Sequence, residues 1–533
     1  MSTRHKNSTA LSTPLLRRCL AKAKAYRSEE DGVLVKPMIG TFLAMLAIGG
    51  IGVDLMRMER DRTNLQYTLD RAVLAAADLD QQLDEKAVVL DYLAKAGLEE
   101  YYSDPVVTPG FASKAVDATI NTSFNAHMLN FAGGGDMPMY ARSRAEESID
   151  GVEISLVLDV SGSMRNNNRL TNLKIAAKEF VKTMVDNTTD GRMSMSIVPY
   201  ATQVSVPQEL LDQYTLNRLH DYSNCVNFDA SDFNSTSLST DDTLTQTMHF
   251  SPWYYSDKRT GYYSSYFTPV CVDASDTTRQ IKPFQKDLTT LQGIIDNLWA
   301  GGNTSIDIGM KWGTALLDPS ARPAIAALSS GTGSTIPSVF SARPSAYTST
   351  DTVKVIVLMT DGQNTSQYFI NNQFREGESD VWFHNGHKVY STYNPGNGKY
   401  RWKGYSGWKD NPYRGGESSR LQYTDLYAKT STKYLGYYIY GEWMSNGYNA
   451  WHHGSYSYHG NSEKNARTRN ICQAAKDQGI IVYTIGFEAP SNGVAVLQDC
   501  ASSDSHYFDV DGLEIADAFA SIATSIRQLR LTQ

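Results

Sequence analysis

Continuously apolar stretches alternate with amphipathic stretches through the C-terminal part of the chain. Val152–Leu158, Thr352–Met359 and Gly479–Ile485 are rich in β-branched and aliphatic residues, which is typical of strands buried on both faces of a parallel sheet. Leu170–Val185 and Leu288–Leu298 repeat apolar residues at helical spacing. The alternation predicts a doubly wound α/β domain over residues 151–533.

Shorter segments complete the predicted domain. Met193–Pro199 and Gln203–Val206 are expected to form two short strands, and Ile515–Leu529 a closing helix. Two insertions, about 207–285 and about 365–465, are rich in Tyr, Ser, Gly, Asn and Trp. This composition is typical of recognition surfaces. It also fits the core of a small β-rich subdomain, and the two interpretations are compatible.

The N-terminal pattern is different. A basic leader, 1–36, precedes a run from Pro37 to Val53 without a charged side chain, so 37–56 is predicted to be a transmembrane helix. Helical spacing continues from Leu55 to Leu79, which extends the helix into an amphipathic stem. That stripe packs either on its own domain or on partner helices. Residues 57–150 are therefore interpreted as a helical stem, to about Tyr102, and a small α+β spacer.

A cleaved signal peptide would show a similar basic and apolar N-terminus. The long leader and the helical pattern that continues beyond the apolar run favour an uncleaved, single-pass anchor. The positive-inside rule then keeps the N-terminus in the cytoplasm and exports everything after about residue 57.

The five cysteines fit this topology. Cys19 lies on the cytoplasmic side and is expected to be a free thiol. Cys225 and Cys271 share one irregular segment, and Cys472 and Cys500 flank a predicted strand, so two disulfides, 225–271 and 472–500, are expected outside the cytoplasm. Unpaired thiols are the alternative.

Charge and composition exclude some classes of protein. The 533 residues carry a net charge of −8 and 41% hydrophobic residues, which fits two or three globular domains. The chain has no basic stripe after residue 75, so a nucleic-acid partner is not expected.

Candidate metal ligands lie in three short runs. They are Asp159, Ser161 and Ser163, then Thr304, then Asp361. Two of the runs follow predicted strands, whose carboxyl ends meet at one edge of a doubly wound sheet. Carboxylate and hydroxyl oxygens suit Mg²⁺, with Mn²⁺ or Ca²⁺ as alternatives, and an acidic group of a protein partner would complete the coordination. Alternatively, the serines cap a helix and Asp361 occupies a turn.

The pattern D-x-S-x-S at 159–163, with the distant Thr304 and Asp361, resembles the metal-ion-dependent adhesion site (MIDAS) of von Willebrand factor A domains. The resemblance implies that fold and a role in binding a protein rather than in catalysis. It also implies that Asp159, Ser161 and Ser163 hold the cation from one loop, and that Thr304 and Asp361 hold it directly or through water.

The segment from Gly40 to Ala77 is similar to the N-terminus of TadE/TadG-type proteins of Tad (Flp) pilus assembly, with Val53-Asp54 at the membrane exit. Gly32 is followed five residues later by Pro37 instead of the Glu of prepilin-like members, so processing by a prepilin peptidase is not expected. The TadG-type branch fits better. It implies a bacterial inner-membrane protein with a periplasmic or exported A domain and partners among the pilus-assembly components.

Two other functions remain open at this point. A surface adhesin or envelope scaffold unrelated to pili would use the same domain. A metal-dependent hydrolase would need a base beside the metal, and a serine nucleophile would need a histidine. The sequence fixes neither, so the chain is interpreted as not being an enzyme. His384, His387, His452, His453 and His459 are expected to lie in solvated loops.

Overall fold

The computed structural model describes most of the chain and divides it into two compact units. The described residues are 18, 21–25, 27 and 34–531, apart from 79–80, 82, 110–112, 132, 149–150, 189, 264–266, 332 and 350–351. Most of the basic leader, Cys19 included, lies outside them. The units are Met1–Ser148 and Ile149–Gln533.

The first unit is built on one long helix, Val35–Ala77, called the stem helix below. Among the described residues, it is the one helix long and apolar enough to cross a membrane. The predicted span and stem are therefore a single helix. Large apolar side chains along its N-terminal half face outward, as at Met38 and Ile48, each 72% exposed.

The C-terminal half of the stem helix packs on its own unit. Leu65, Leu69, Ala72 and Ala76 are fully buried and share a core with the helix Glu85–Lys95 and a three-stranded antiparallel sheet. The strands of this sheet are β1 (Val106–Pro109), β2 (Ser113–Phe124) and β3 (Met137–Ser148), and a short helix, His127–Phe131, precedes β3. Of the two interpretations of the apolar stripe, the structure therefore shows packing within the unit. The helix predicted to reach about Tyr102 ends at Lys95.

The second unit is a six-stranded sheet with helices on both faces. Its strands are β4 (Gly151–Asp159), β5 (Met193–Tyr200), β11 (Lys282–Gln285), β12 (Thr352–Thr360), β20 (Ile481–Phe487) and β21 (Tyr507–Val510). The spatial order is β11-β5-β4-β12-β20-β21, with β11 antiparallel and the other neighbours parallel. This is the 3-2-1-4-5-6 order of a doubly wound sheet, so the predicted doubly wound α/β architecture is confirmed.

Each face of the sheet has its own hydrophobic core. One face is covered by Arg169–Asp186, Leu288–Asp296 and Ile515–Leu531. The other is covered by Ile306–Ala315, Arg322–Leu328, Asn461–Asp477 and Ser491–Cys500. Burial on both faces explains why β4 and β12 read as continuous apolar runs.

Three details differ from the sequence prediction. Gln203–Val206 is not a strand; it takes part only in an isolated bridge between Ser205 and Gln280. The edge strand is β11, which the prediction placed inside the first insertion. Its four residues contain Pro283, and Phe284 has a positive φ of 47°, so it shows no strand-like pattern. The second predicted insertion also ran too far, because the helix Asn461–Asp477 begins before its end.

The two insertions pack together around one aromatic core. Met248, Phe250 and Val270 of the first insertion join Tyr440 and Trp451 of the second in this core. The remaining elements are the helices Gln208–Leu211, Tyr423–Lys429 and Thr432–Tyr434, the π-helical turns Leu435–Tyr440 and Asn449–His453, and the strands β6 (Thr215–Asn217), β7 (Val226–Asn227), β8 (Thr243–Gln246), β9 (Ser256–Asp257), β10 (Tyr262–Tyr263), β13 (Gln367–Ile370), β14 (Glu378–His384), β15 (Val389–Asn394), β16 (Lys399–Trp402), β17 (Trp408–Lys409), β18 (Ser419–Gln422) and β19 (Tyr456–His459).

Cysteine and histidine positions test two further expectations. Both predicted disulfides are present, Cys225–Cys271 and Cys472–Cys500. The expectation of solvated histidines is wrong for His384 and His452, which are 7% and 3% exposed. They are buried because the insertions form a packed subdomain instead of open loops.

Candidate functional site

The candidate residues gather where the sheet reverses its winding. β4 ends at Asp159, and β12, its parallel neighbour, ends one residue before Asp361. In this sheet, β5 lies beside β4 on one side of the pair, and β20 lies beside β12 on the other side. In doubly wound sheets this switch point opens a crevice at the carboxyl ends of the strands.

Asp159 is completely buried and held at both carboxylate oxygens. Oδ1 accepts a hydrogen bond from the Ser161 backbone N–H at 2.7 Å. Oδ2 accepts one from the Thr360 hydroxyl at 2.6 Å. The carboxylate is therefore fixed from its own loop and from the end of β12.

The serines connect the first run with the third. The Ser161 and Ser163 hydroxyl oxygens lie 3.1 Å apart, and the Ser163 hydroxyl donates to Asp361 Oδ1 at 2.7 Å. Ser161 makes no capping hydrogen bond with its side chain, and the N-cap residue of the helix Arg169–Asp186 is Asn168. The alternative interpretation, in which the serines serve as helix caps, is therefore wrong.

Backbone hydrogen bonds bring the loop that holds Thr304 to the same place. Gly162 N–H donates to the Gly302 carbonyl at 2.9 Å, and Gly301 N–H donates to the Val160 carbonyl at 2.8 Å. Thr304 N–H donates to the Thr365 hydroxyl at 2.8 Å, in the loop that follows Asp361. The structure therefore brings together the loops carrying all five predicted residues.

Burial and charge repulsion act on the two carboxylates. Burial is the largest cause and the negative charge of Asp361 the second largest; together they raise the pKa of Asp159 to about 7. Burial also raises the pKa of Asp361, against the hydrogen bonds from Ser163 and Arg169. Two adjacent buried acids repel each other when both are ionised, and a cation between them would remove that cost.

The donor set fits a hard divalent cation. It consists of two carboxylates and three hydroxyl groups, and oxygen ligands of this kind suit Mg²⁺. Nowhere in the described part of the chain do three or more His, Cys, Asp or Glu side chains form a group that could hold a metal ion. A cation here would therefore depend on the hydroxyl groups as well as on the acids.

Sequence reasoning missed the side chains that surround this set. Arg169 donates from Nη1 to Asp361 Oδ2 at 2.9 Å and from Nε to Glu488 Oε2 at 2.8 Å. The buried Lys464 ammonium donates to the carbonyls of Thr304 and Thr365 at 2.8 and 2.7 Å. No local pattern marks these residues, because their contacts are set by tertiary packing. Thr360 could have been found, since it directly precedes Asp361.

Comparison with known proteins agrees with the N-terminal prediction. Residues 32–79 match the family model described as "Putative Flp pilus-assembly TadE/G-like". The resemblance predicted for this segment is thereby confirmed. Among curated proteins, no sequence is similar enough to count as a match.

Solved structures similar to the chain include three from pili. The von Willebrand factor domain of the type V pili tip protein Mfa5 from Porphyromonas gingivalis is 17% identical, with 71% of this chain and 96% of that chain covered and a TM-score of 0.32. The adhesive tip pilin GBS104 from Group B Streptococcus agalactiae is 13% identical, with 70% and 100% covered and a TM-score of 0.30. The pilus adhesin SpaC from Lactobacillus rhamnosus GG is 14% identical, with 79% and 34% covered and a TM-score of 0.30.

The family match and the strand order of the sheet describe different parts of the molecule. The match covers the whole stem helix, and the 3-2-1-4-5-6 sheet belongs to the second unit. The chain therefore combines an N-terminal segment similar to the TadE/G-like family of Flp pilus assembly with a separate doubly wound α/β domain.

Proposed function

We propose that this chain is a membrane-anchored protein of Tad/Flp pilus assembly or anchoring, whose A domain captures a protein partner through a divalent metal. The observation that carries the proposal is the hydrogen bond from Ser163 to Asp361 across 198 positions of sequence. It joins the first and third runs of the motif, beside a completely buried Asp159. Such convergence is unexpected for unrelated turns.

The residues have separate roles in this proposal. Asp159 and Asp361 supply the negative charge, and Ser161, Ser163 and Thr304 supply neutral oxygens. A bound Mg²⁺, or Mn²⁺ or Ca²⁺ in its place, would attract a carboxylate of the partner, because three of its five ligands are uncharged and octahedral coordination takes a sixth oxygen. The backbone bonds of Gly162 and Gly301 hold the loops in position before any partner arrives.

The same contacts favour binding over catalysis. The Ser161 and Ser163 hydroxyls are hydrogen-bonded to each other, and the Ser163 hydroxyl donates to Asp361. A serine nucleophile would instead need a neighbouring base such as histidine. We therefore propose an adhesive role without an enzymatic step.

Location is part of the proposal. The apolar half of the stem helix would lie in the bacterial inner membrane, with the N-terminus in the cytoplasm and the A domain in the periplasm or beyond. The disulfides Cys225–Cys271 and Cys472–Cys500 support export, because such bonds persist in oxidising compartments.

Metal binding is tested with the full chain in detergent, by titrating Mn²⁺ and following its EPR signal, with Mg²⁺ as competitor. We expect Asp159→Ala to weaken Mn²⁺ binding by at least about tenfold, since one of the two anionic ligands is lost. The control Asp190→Ala removes an acid that pairs with Lys286 outside the site and should bind as the wild type does. Unchanged Mn²⁺ affinity in Asp159→Ala would disprove the metal site.

Partner capture is tested in intact cells. A photocrosslinking amino acid at Tyr263, which is 55% exposed on the first insertion, should trap a pilus-assembly component. The crosslink should be lost in Asp159→Ala and when a membrane-impermeant chelator is added to permeabilised envelopes. A crosslink that survives both treatments would show that capture does not use the metal.

A further inference from the structure

A cleft with a volume of about 510 Å³ lies beside the loops of the candidate metal site. Its lining includes Arg165, Gly301 and Gly302 from those loops. It also includes aromatic residues and a buried arginine from the first insertion and the segment that follows, namely Tyr254, Phe267, Arg279 and Trp299. The metal loops and the cleft therefore share a wall.

Arg279 is the feature of this cleft that requires an explanation. It is 5% exposed, and its guanidinium lies 4.4 Å from the centre of the Trp299 ring. Among the described residues, no hydrogen bond or ion pair engages it. Burial lowers its pKa to about 10, against the attraction of Asp276 and Asp159, so it stays protonated at neutral pH. A buried guanidinium with free N–H donors is costly unless an anion accepts from it.

The acids of the cleft already have partners, whereas the residues that the structure describes engage Arg165 at only one nitrogen. The Asp276 carboxylate accepts from Trp299 Nε1 at 2.9 Å and from Thr278 N–H at 3.0 Å. Arg165 donates from Nε to the Ala300 carbonyl at 2.7 Å, which leaves its remaining guanidinium nitrogens available. Asp273 is half exposed and lies 3.4 Å from His249. An incoming anion would therefore find Arg279 and Arg165 as donors.

We propose that this cleft binds a second carboxylate of the partner polypeptide, from an Asp or Glu near the acid that reaches the metal. Arginine forms its strongest hydrogen bonds with carboxylates in paired geometry. The rings of Trp299, Phe267 and Tyr254 would cover the apolar atoms on either side of that acid. The inference extends the proposed function, because the partner is the same one, but carboxylate binding in the cleft does not itself need the metal.

The test follows the Trp299 resonance by ¹⁹F NMR in the full chain labelled with 5-fluorotryptophan, with EDTA present. Trp299→Phe assigns the signal among the eight tryptophans. Two probes are titrated at constant ionic strength: acetate, and the blocked tripeptide Gly-Glu-Gly. We expect saturable shifts with both probes, with the tripeptide acting at about tenfold lower concentration, because its backbone contacts the aromatic walls.

Arg279→Met removes the charge and keeps a side chain of similar length beside Trp299. It should abolish the saturable shift, whereas the control Arg218→Met, which removes an arginine paired with Asp212, should retain it. Asp159→Ala should also retain it, which separates this inference from metal binding. An unshifted Trp299 signal, or the same titration in Arg279→Met, would overturn the carboxylate site. Equal affinity for acetate and tripeptide would overturn the polypeptide ligand.

The first unit carries an independent feature at the membrane end of the stem helix. Met128 and Leu129 of the short helix His127–Phe131 donate their backbone N–H groups to Asp54 Oδ2 at 2.6 and 2.9 Å. Gly50 lies directly against the Met128 side chain, because a Cβ there would be 2.7 Å from Met128 Cγ. The short helix therefore reaches one turn further toward the apolar segment than Asp54 does.

We infer that this short helix enters the lipid interface. Phe131 is 88% exposed and Met128 is 41% exposed, and Met128 lies against Gly50 of the span. The uncharged run from Pro37 to Val53 is about 25 Å long as a helix, which is shorter than the roughly 30 Å hydrocarbon core. Apolar side chains beside its outer end would compensate for the difference.

A nitroxide label measures this directly in vesicles of phosphatidylethanolamine and phosphatidylglycerol. Cys19→Ser removes the unpaired cysteine, and Phe131→Cys carries the label; Leu83→Cys, at a residue 66% exposed in the same unit, is the control. At position 131 we expect accessibility to oxygen to exceed accessibility to a water-soluble nickel chelate, with the reverse at position 83. Equal behaviour at both positions, or shielding of position 131 from both reagents, would overturn the lipid contact.

Discussion

The rim of the central sheet and the aromatic subdomain of the insertions use burial in opposite ways. At the rim, the buried acids Asp159 and Asp361 face each other, and burial raises the pKa of both. In the subdomain, the rings of Tyr440 and Trp451 stack with centroids 4.0 Å apart inside an apolar core. The rim stores a cost that a ligand could relieve, whereas the subdomain is stable by packing alone. This difference makes the rim the region where a bound cation would relieve the most cost.

The largest expected effect tests the packed side of this comparison. Trp451→Ala should reduce the free energy of unfolding by about 3–5 kcal/mol, because it leaves a cavity beside Tyr440. Chemical denaturation followed by tryptophan fluorescence measures the loss. The exposed Tyr263→Ala should change stability by less than about 0.5 kcal/mol. If Trp451→Ala also weakened Mn²⁺ binding tenfold, the two regions would not be independent.

The second-largest expected effect is a decrease in the stability of the aromatic subdomain at low pH. Burial, followed by the charges of His453 and Lys433, lowers the pKa of His452 to about 3, against about 6.5 in an unfolded chain. Between these values the unfolded chain binds a proton that the folded chain does not. The stability is therefore complete above about pH 6.5 and decreases as the pH falls. Denaturation at a series of pH values measures the slope, which His452→Gln should reduce; an unchanged slope would contradict this assignment.

The rim should respond to pH in the opposite direction when it is free of metal. The folded pKa of Asp159, about 7, lies above its unfolded value of about 3.9. The folded protein then binds more protons than the unfolded chain, so stability falls as the pH rises from about 4 to about 7. Asp159→Asn should therefore stabilise the metal-free protein at pH 8 by about 1 kcal/mol or more. A loss of stability at pH 8 would show that the carboxylates are not in conflict.

The smallest expected effect is a change in Mn²⁺ affinity on substitution of Arg169, whose guanidinium contacts Asp361. Arg169→Gln removes a positive charge next to the candidate metal ligands. We expect Mn²⁺ affinity to rise by a few fold, because the guanidinium of Arg169 no longer competes with Mn²⁺ for the Asp361 carboxylate. Lys182→Gln, on the exposed face of the same helix, is the control. Weaker binding in Arg169→Gln would show that the arginine chiefly positions Asp361.

The sequence predicted those parts of the fold in which one residue pattern has one structural meaning. β4 and β12 were found because burial on both faces requires a continuous apolar run, and the three motif runs were found because they follow such strands or tight turns. The helix Ile306–Ala315 was missed because all of its residues are buried, which removes the amphipathic period. The contacts of Lys464 with the Thr304 loop depend on packing between distant elements, for which no local pattern exists.

The insertions mark the limit of composition as a guide. Their aromatic content indicated both a recognition surface and a core, and the structure shows a shared core that buries Tyr440 and Trp451. Composition could not show that the first and second insertions pack together, because it carries no information about contacts between residues far apart in the sequence. It also could not show that β11 returns to the sheet, since four residues carry too little pattern.

The uninterrupted stem helix, Val35–Ala77, has a mechanical consequence. Its apolar half and the half that underlies the three-stranded sheet have no hinge between them, so the first unit must follow any tilt that the surrounding lipids impose. A force acting on the three-stranded sheet of the first unit would be transmitted along the helix to its apolar half instead of being absorbed by a hinge within the helix. The thickness and tension of a surrounding membrane would therefore influence the orientation of the first unit.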